Sequence, residues 1–141
     1  MKNNKAFLLV LLVGIFCACN QKTNNDTFTL EEELSIEDIQ NAFKSKQLSV
    51  LDLTEYYMSR IENIDIKGAE LSSVITSNPD AISIAKKLDA EMQAGKTRGP
   101  LHGIPILLKD NIDTHDKMPC TAGARSMAAS YPLKDSPLAK Q

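Results

Sequence analysis

The sequence predicts an α/β fold in which helices pack on a sheet. Three stretches repeat apolar residues at helical spacing behind clear helix-start signals. Two short apolar runs have strand-like composition. The two kinds follow in the order helix, helix, strand, helix, strand, with no internal repeat, which is the pattern of helices covering a sheet.

The first helix is expected from Ser35. That hydroxyl precedes Asp38 by three residues, a capping-box arrangement with Asp in place of the usual Glu. Ile36, Ile39 and Phe43 then share one face. A second start lies at Ser49 with Asp52 three residues on, and Val50, Leu53, Tyr57, Ile61 and Ile64 form its stripe to about residue 63 or 64. Tyr56 and Tyr57 fit as packing residues with their hydroxyls at the rim. Leu71 to Thr76 is short and β-leaning and is expected as a strand. Asn78-Pro79-Asp80 breaks it, because proline cannot donate to a ladder. The third helix should run from about Asp80 to Ala94. Ala81, Ala85, Leu88 and Met92 form its inner face, Lys86, Lys87, Asp89 and Glu91 its solvated side, and Gly95 its stop. Ile104 to Leu108 is apolar at every position, as in a strand buried on both faces, with Pro105 at its start or edge.

The segment before the first helix reads as targeting and tether. Lys2 and Lys5 precede an apolar run from Ala6 to Phe16 that is shorter than the roughly 20 residues a membrane span needs. Phe16-Cys17-Ala18-Cys19 resembles a bacterial lipobox, which makes Cys19 the lipidated first residue of the mature chain. An ordinary signal peptide is the plainer alternative, with an uncleaved anchor a third. The expected organisation is a signal peptide over 1–18, a lipidated Cys and polar tether over 19–33, and a domain from 34 to 141. The protein is then extracytoplasmic, in the cell envelope of a bacterium, and held to the membrane by acyl chains. The formal net charge of −2 gives no basic face for nucleic acid. Without residues 1–18 the chain holds 14 basic and 18 acidic residues, so charge does not draw it to anionic lipid either. Cys120 is the single thiol left in the mature chain, which excludes an internal disulfide framework.

The candidate chemistry sits between Gly99 and Ala124. Lys109, Asp110 and Asn111 stand where the second strand ends, and strand ends in α/β folds commonly carry functional groups. Taken alone, a lysine there returns to solvent or pairs with a carboxylate such as Asp110. A lysine that acts as a base works as the neutral amine, which burial favours by penalising the ammonium.

Gly99-Pro100-Leu101-His102-Gly103-Ile104-Pro105, then Leu107 to Thr114, then Met118-Pro119 and Thr121-Ala122-Gly123 resemble the N-terminal part of the amidase signature family. The helices from Ser35 and from Asn78 fit the same resemblance. It implies helices packed on a mixed β-sheet, present here incompletely, and hydrolysis of a carbon–nitrogen amide bond through a Ser–cis-Ser–Lys triad. Lys109 matches the family's lysine, which takes a proton from the bridging serine so that the second serine attacks the amide carbonyl. Met118, Thr121 and Gly123 match positions lining the substrate cleft. The substrate is a small-molecule amide; no cofactor and no metal are implied.

The two serines and the oxyanion donors belong to a later Gly/Ser-rich segment that has no counterpart here. Ser126, Ser130 and Ser136 lack flanking glycines and read as surface or turn serines. The 141 residues alone are therefore expected to be inactive and weakly stable. Two alternatives share the signature: the glutamine-hydrolysing subunit of a tRNA-dependent amidotransferase, which the export signal speaks against, and a non-catalytic surface binding protein. His102 reads as structural, and Cys120 as a neutral thiol. His115 between Asp113 and Asp116 has poor spacing for a metal.

Overall fold

A computed structural model of the chain describes residues 28–30 and 33–140. The expected signal peptide, Cys19 and most of the tether lie outside the described residues.

Three α-helices carry the core: α1 (Ile36–Lys44), α2 (Val50–Arg60) and α3 (Ala81–Gln93). The first two begin where their cap signals place them. The Ser35 hydroxyl accepts from the Asp38 N–H at 3.1 Å, and the Asp38 carboxylate accepts from the Ser35 N–H at 3.2 Å. Ser49 and Asp52 repeat the exchange at 3.0 and 3.3 Å. Aspartate thus serves in both boxes, each cap contributing about 1 kcal/mol. α3 ends at Gln93, and Gly95 follows with φ +73° as the left-handed stop.

The core is small. Ile39, Ala42 and Phe43 of α1, Leu48, Val50 and Leu53 of α2 and its lead-in, and Ala85 of α3 are buried together. Tyr57, Leu88, Met92 and Ile104 pack around them. The outermost members of the expected stripes, Ile36 and Ile64, face solvent. Tyr57 packs as expected, and Tyr56 stands edge-on to it with ring centroids 5.4 Å apart.

Asp89, expected on the solvated side of α3, instead reaches the start of α2. Its two carboxylate oxygens accept the N–H groups of Val50 and Leu51 at 2.7 and 3.0 Å. Those donors have no partner within their own helix, and the carboxylate also meets the positive end of the helix dipole. Glu91 is engaged too, holding Arg98 by contacts of 2.5 and 2.7 Å. Lys86 and Lys87 remain exposed.

α2 runs on past Arg60 as a π-helical segment, Ile61–Ile66, in which carbonyls accept from five residues ahead: Lys67 N–H to Glu62 at 3.0 Å and Ala69 N–H to Ile64 at 2.9 Å. This segment delivers Asp65 to a buried position. There it accepts from Ser73 N–H at 2.9 Å, from Val74 N–H at 3.1 Å and from the Ser73 hydroxyl.

Neither expected strand forms among the described residues. In the first run, Ser72 has φ +48°, and a residue in the left-handed region cannot continue a ladder. The Asp65 carboxylate takes the N–H groups that a neighbouring strand would have taken. Leu71 and Ile75 are left 66% and 62% exposed. In the second run, Ile104 packs on the core, but Ile106 and Leu107 are 58% and 77% exposed. Among the described residues, no backbone hydrogen bond reaches residues 105–108. A strand needs a partner for its N–H and C=O groups, and the described residues supply none. The expectation of a run buried on both faces is therefore corrected to an extended, exposed one.

Candidate functional site

The turn that leads into the second run is anchored on three sides. The Gln40 side chain of α1 donates to the Pro100 carbonyl at 2.5 Å. His102 is buried, with Nδ1 accepting from the Arg98 N–H at 3.2 Å. That bond fixes the proton on Nε2, which donates to the Leu88 carbonyl of α3 at 3.1 Å. His102 is therefore a packing and bonding residue, as expected. Gly103 follows with φ +80°, pressed against Val50.

Lys109 stands at the end of the exposed run, and its side chain is exposed. Its carbonyl accepts from the Ile112 N–H at 2.9 Å, closing a tight turn through Asp110 and Asn111. Among the described residues its ammonium makes no hydrogen bond or ion pair; Asp110 beside it is already engaged.

Asp110 is held by the segment ten residues on. Its carboxylate accepts from the Thr121 N–H at 3.0 Å, the Gly123 N–H at 3.3 Å and the Thr121 hydroxyl. Its carbonyl accepts from the Ala122 N–H at 2.7 Å and faces the Cys120 thiol at 3.6 Å. Ala122 and Gly123 have φ +48° and +75°. The bonds from Thr121, then the Gly123 N–H and the Lys109 charge, hold the Asp110 carboxyl below the usual carboxylate range against its partial burial. Sequence reasoning placed Thr121 and Gly123 near substrate; the structure turns their polar groups to Asp110. It missed the clamp itself, whose only sequence signal is an Asp followed at a distance by Thr-Ala-Gly.

Met118 is half-buried. Its N–H donates to Asp116 at 2.7 Å, and Asp116 also accepts from Asn78 at 3.3 Å, tying the loop to the approach of α3. Lys117 pairs with Asp80 at 2.8 Å. Cys120 is held in its protonated form by a hydrogen bond to Asp113, by partial burial and by the charges of Asp113 and Asp110, in keeping with a neutral thiol. His115 is exposed and its N–H donates to Asp135 at 2.7 Å. Among the described residues no three metal-ligating side chains cluster. Ser130 and Ser136 sit in turns: the Ser130 N–H donates to the Met127 carbonyl at 2.8 Å, and the Ser136 hydroxyl accepts from the Ala139 N–H at 3.2 Å.

Three carboxylates share one signature. Asp65, Asp110 and Glu91 are all held below their ordinary values, chiefly by Ser73, Thr121 and Arg98. A carboxyl with a depressed folded-state pKa adds stability above its unfolded value and loses it as pH falls through the folded one. Denaturant midpoints measured from pH 7 to pH 2 are therefore expected to hold with respect to these groups down to about pH 4 and to fall below it. A midpoint that stays level to pH 2 would contradict these bonds.

The comparisons with known proteins fit this geometry. The peptide amidase of Stenotrophomonas maltophilia has the same fold over the shared part, with a TM-score of 0.71 at 39% identity. The match covers 74% of this chain and 21% of that one. The fold is thus that of the amidase signature enzymes over the region described. The family model named Amidase matches residues 52–141, and the chain belongs to the amidase family. A protein of Arabidopsis thaliana named "probable amidase" is 36% identical over 135 residues, 94% of this chain and 25% of its own length. A glutamyl-tRNA(Gln) amidotransferase subunit of Desulforamulus reducens is 34% identical over 99 residues, 70% of this chain and 18% of its own. The chain therefore spans a quarter or less of the length of these relatives.

Proposed function

We propose that this chain supplies the lysine of an amidase that cleaves a small-molecule amide through a Ser–cis-Ser–Lys triad. The observation that carries the proposal is the position of Lys109. It lies inside the matched family region, at the end of an extended run, on a turn held from two sides, with its amine free of partners among the described residues. Covered by the serine-bearing remainder of the enzyme, which would favour the neutral amine, Lys109 accepts the proton of a bridging serine. That serine takes the proton of the nucleophilic serine, which adds to the amide carbonyl; as the C–N bond breaks the relay hands that proton to the departing nitrogen, and water then cleaves the acyl-enzyme ester to release the acid. Both serines are expected in sequence beyond the matched region. Met118, half-buried on the same loop, is the apolar contact this chain offers the substrate.

The run at 105–108 fits an element of a mixed β-sheet. Its exposed apolar side chains and unbonded backbone groups are those of a strand awaiting neighbours. The apolar run before Cys19 supports export and lipid anchoring in the cell envelope. Loss of palmitate incorporation in Cys19→Ser tests that part.

The test of the activity is ammonia release by the protein expressed from its complete reading frame, offered simple amides, peptide amides and glutamine. Turnover of a simple or peptide amide is expected. Failure on every amide would overturn the proposal. Hydrolysis of glutamine alone would favour the second reading, as part of an amidotransferase, which rests on the 34% identity to the glutamyl-tRNA(Gln) amidotransferase subunit of Desulforamulus reducens.

A further inference from the structure

Three consecutive backbone N–H groups, those of Thr121, Ala122 and Gly123, converge on one residue. The first and third go to the Asp110 carboxylate and the second to the Asp110 carbonyl. The left-handed backbone at Ala122 and Gly123 aims these donors inward, making the kind of concavity that ordinarily receives an anion. Here a carboxylate of the same chain fills it. The Thr121 hydroxyl adds a third bond to that carboxylate, the fourth to Asp110, and the Gly123 N–H also meets the Thr121 oxygen at 3.1 Å. These donors are therefore not available to an oxyanion or a substrate carboxylate.

What the clamp does hold is the residue next to Lys109. With the Lys109 carbonyl closed onto the Ile112 N–H at 2.9 Å and Asp110 clamped, the backbone that carries the amine is fixed on the C-terminal side of its Cα; the nearest anchor before it is Ile104, packed on the core at the start of the run. A side chain as long as lysine can deliver its amine to one place only if its base is fixed, and a functional group must be held within about 0.5 Å to work well. We propose that Asp110 is the positioning residue for Lys109, and that Thr121 and Gly123 serve the reaction by holding Asp110 rather than by touching substrate. The proposal rests on Lys109 being the base.

The test uses the protein from its complete reading frame and an amide that it hydrolyses. Thr121→Val removes the hydroxyl and keeps the shape. It is expected to lower kcat by about 10- to 100-fold, the size of effect a small misplacement produces, with KM kept within about twofold. Thr121→Ser, which restores the hydroxyl, recovers most of that loss. In a Lys109→Ala background, Thr121→Val costs nothing further, because the two act through one group. A raised KM with kcat kept would make Thr121 a substrate contact and overturn the proposal. So would a full additional loss in the Lys109→Ala background.

Hydrogen exchange gives a reading that does not depend on activity. Asp110→Ala is expected to speed exchange at the Thr121 and Gly123 amides by about tenfold or more; unchanged exchange would remove the clamp. Should Thr121→Val fail to fold, Asp110→Asn, which turns a donor toward the Gly123 N–H, is read in the same three assays. If Lys109→Ala keeps the full wild-type rate, Lys109 is not the base and the functional reading falls. If Lys109→Ala loses the rate and Thr121→Val is additive to it, the positioning role alone falls.

Discussion

Lys109→Ala in the complete protein is expected to lower kcat for amide hydrolysis by about 10³-fold, with little change in KM. A positioned acid–base group contributes about 10²- to 10⁴-fold, and this one also activates the nucleophile, so the loss belongs in the middle of that range or above. The side chain is exposed and bonded to nothing among the described residues, so its removal costs these helices and turns no contact. Circular dichroism and the denaturant midpoint are therefore expected to match wild type, which separates a chemical loss from a folding loss. Lys109→Arg, with a guanidinium that stays protonated, should be as inactive as alanine. Steady-state kinetics checks both; an arginine variant with near-normal kcat would show that the residue acts by charge and not as a base.

Gly103→Ala is expected to cost about 2–5 kcal/mol of stability. With φ +80°, an added Cβ pays the left-handed penalty of about 1–2 kcal/mol. It would also stand 2.4 Å from Val50 Cγ2 and 3.2 Å from Cγ1, adding overpacking of about 1–3 kcal/mol. Val50 has little room to yield, being 1% exposed and held by its N–H to Asp89. Replacing Val50 by Ala in the Gly103→Ala protein removes the clash and leaves the backbone strain, so the two losses should be less than additive. Urea midpoints at constant m-value check this. A Gly103→Ala protein within about 0.5 kcal/mol of wild type would refute the packing described. The consequence reaches the site, since Gly103 is the joint between the anchored turn and the run that carries Lys109.

The helices were legible because their signals are local. Ser35 with Asp38 and Ser49 with Asp52 are capping boxes that sequence spacing reveals, and the 3.6-residue period marks the inner faces. The strands were not, because a strand is defined by a neighbour. Residues 71–76 and 104–108 have strand composition, yet Ser72 is left-handed and no described residue pairs with 105–108. Asp89 and Asp110 were missed for a related reason. Asp89 acts on residues 38 and 39 positions away, and Asp110 on residues 11 to 13 positions away. No periodicity encodes such contacts. Lys109 stood out only through the ordered run from Gly99 to Gly123. As a lone lysine after an apolar run it was a solvent-facing residue, and the structure alone shows it as one.

The central claim is that Lys109 activates a serine relay. Its most direct measurement is the rate at which a fluorophosphonate probe modifies the complete protein, with and without Lys109. Wild type is expected to be modified at one serine, and Lys109→Ala at that same serine about 10³-fold more slowly. Equal rates in the two proteins, or modification that does not fall on a serine, would contradict it.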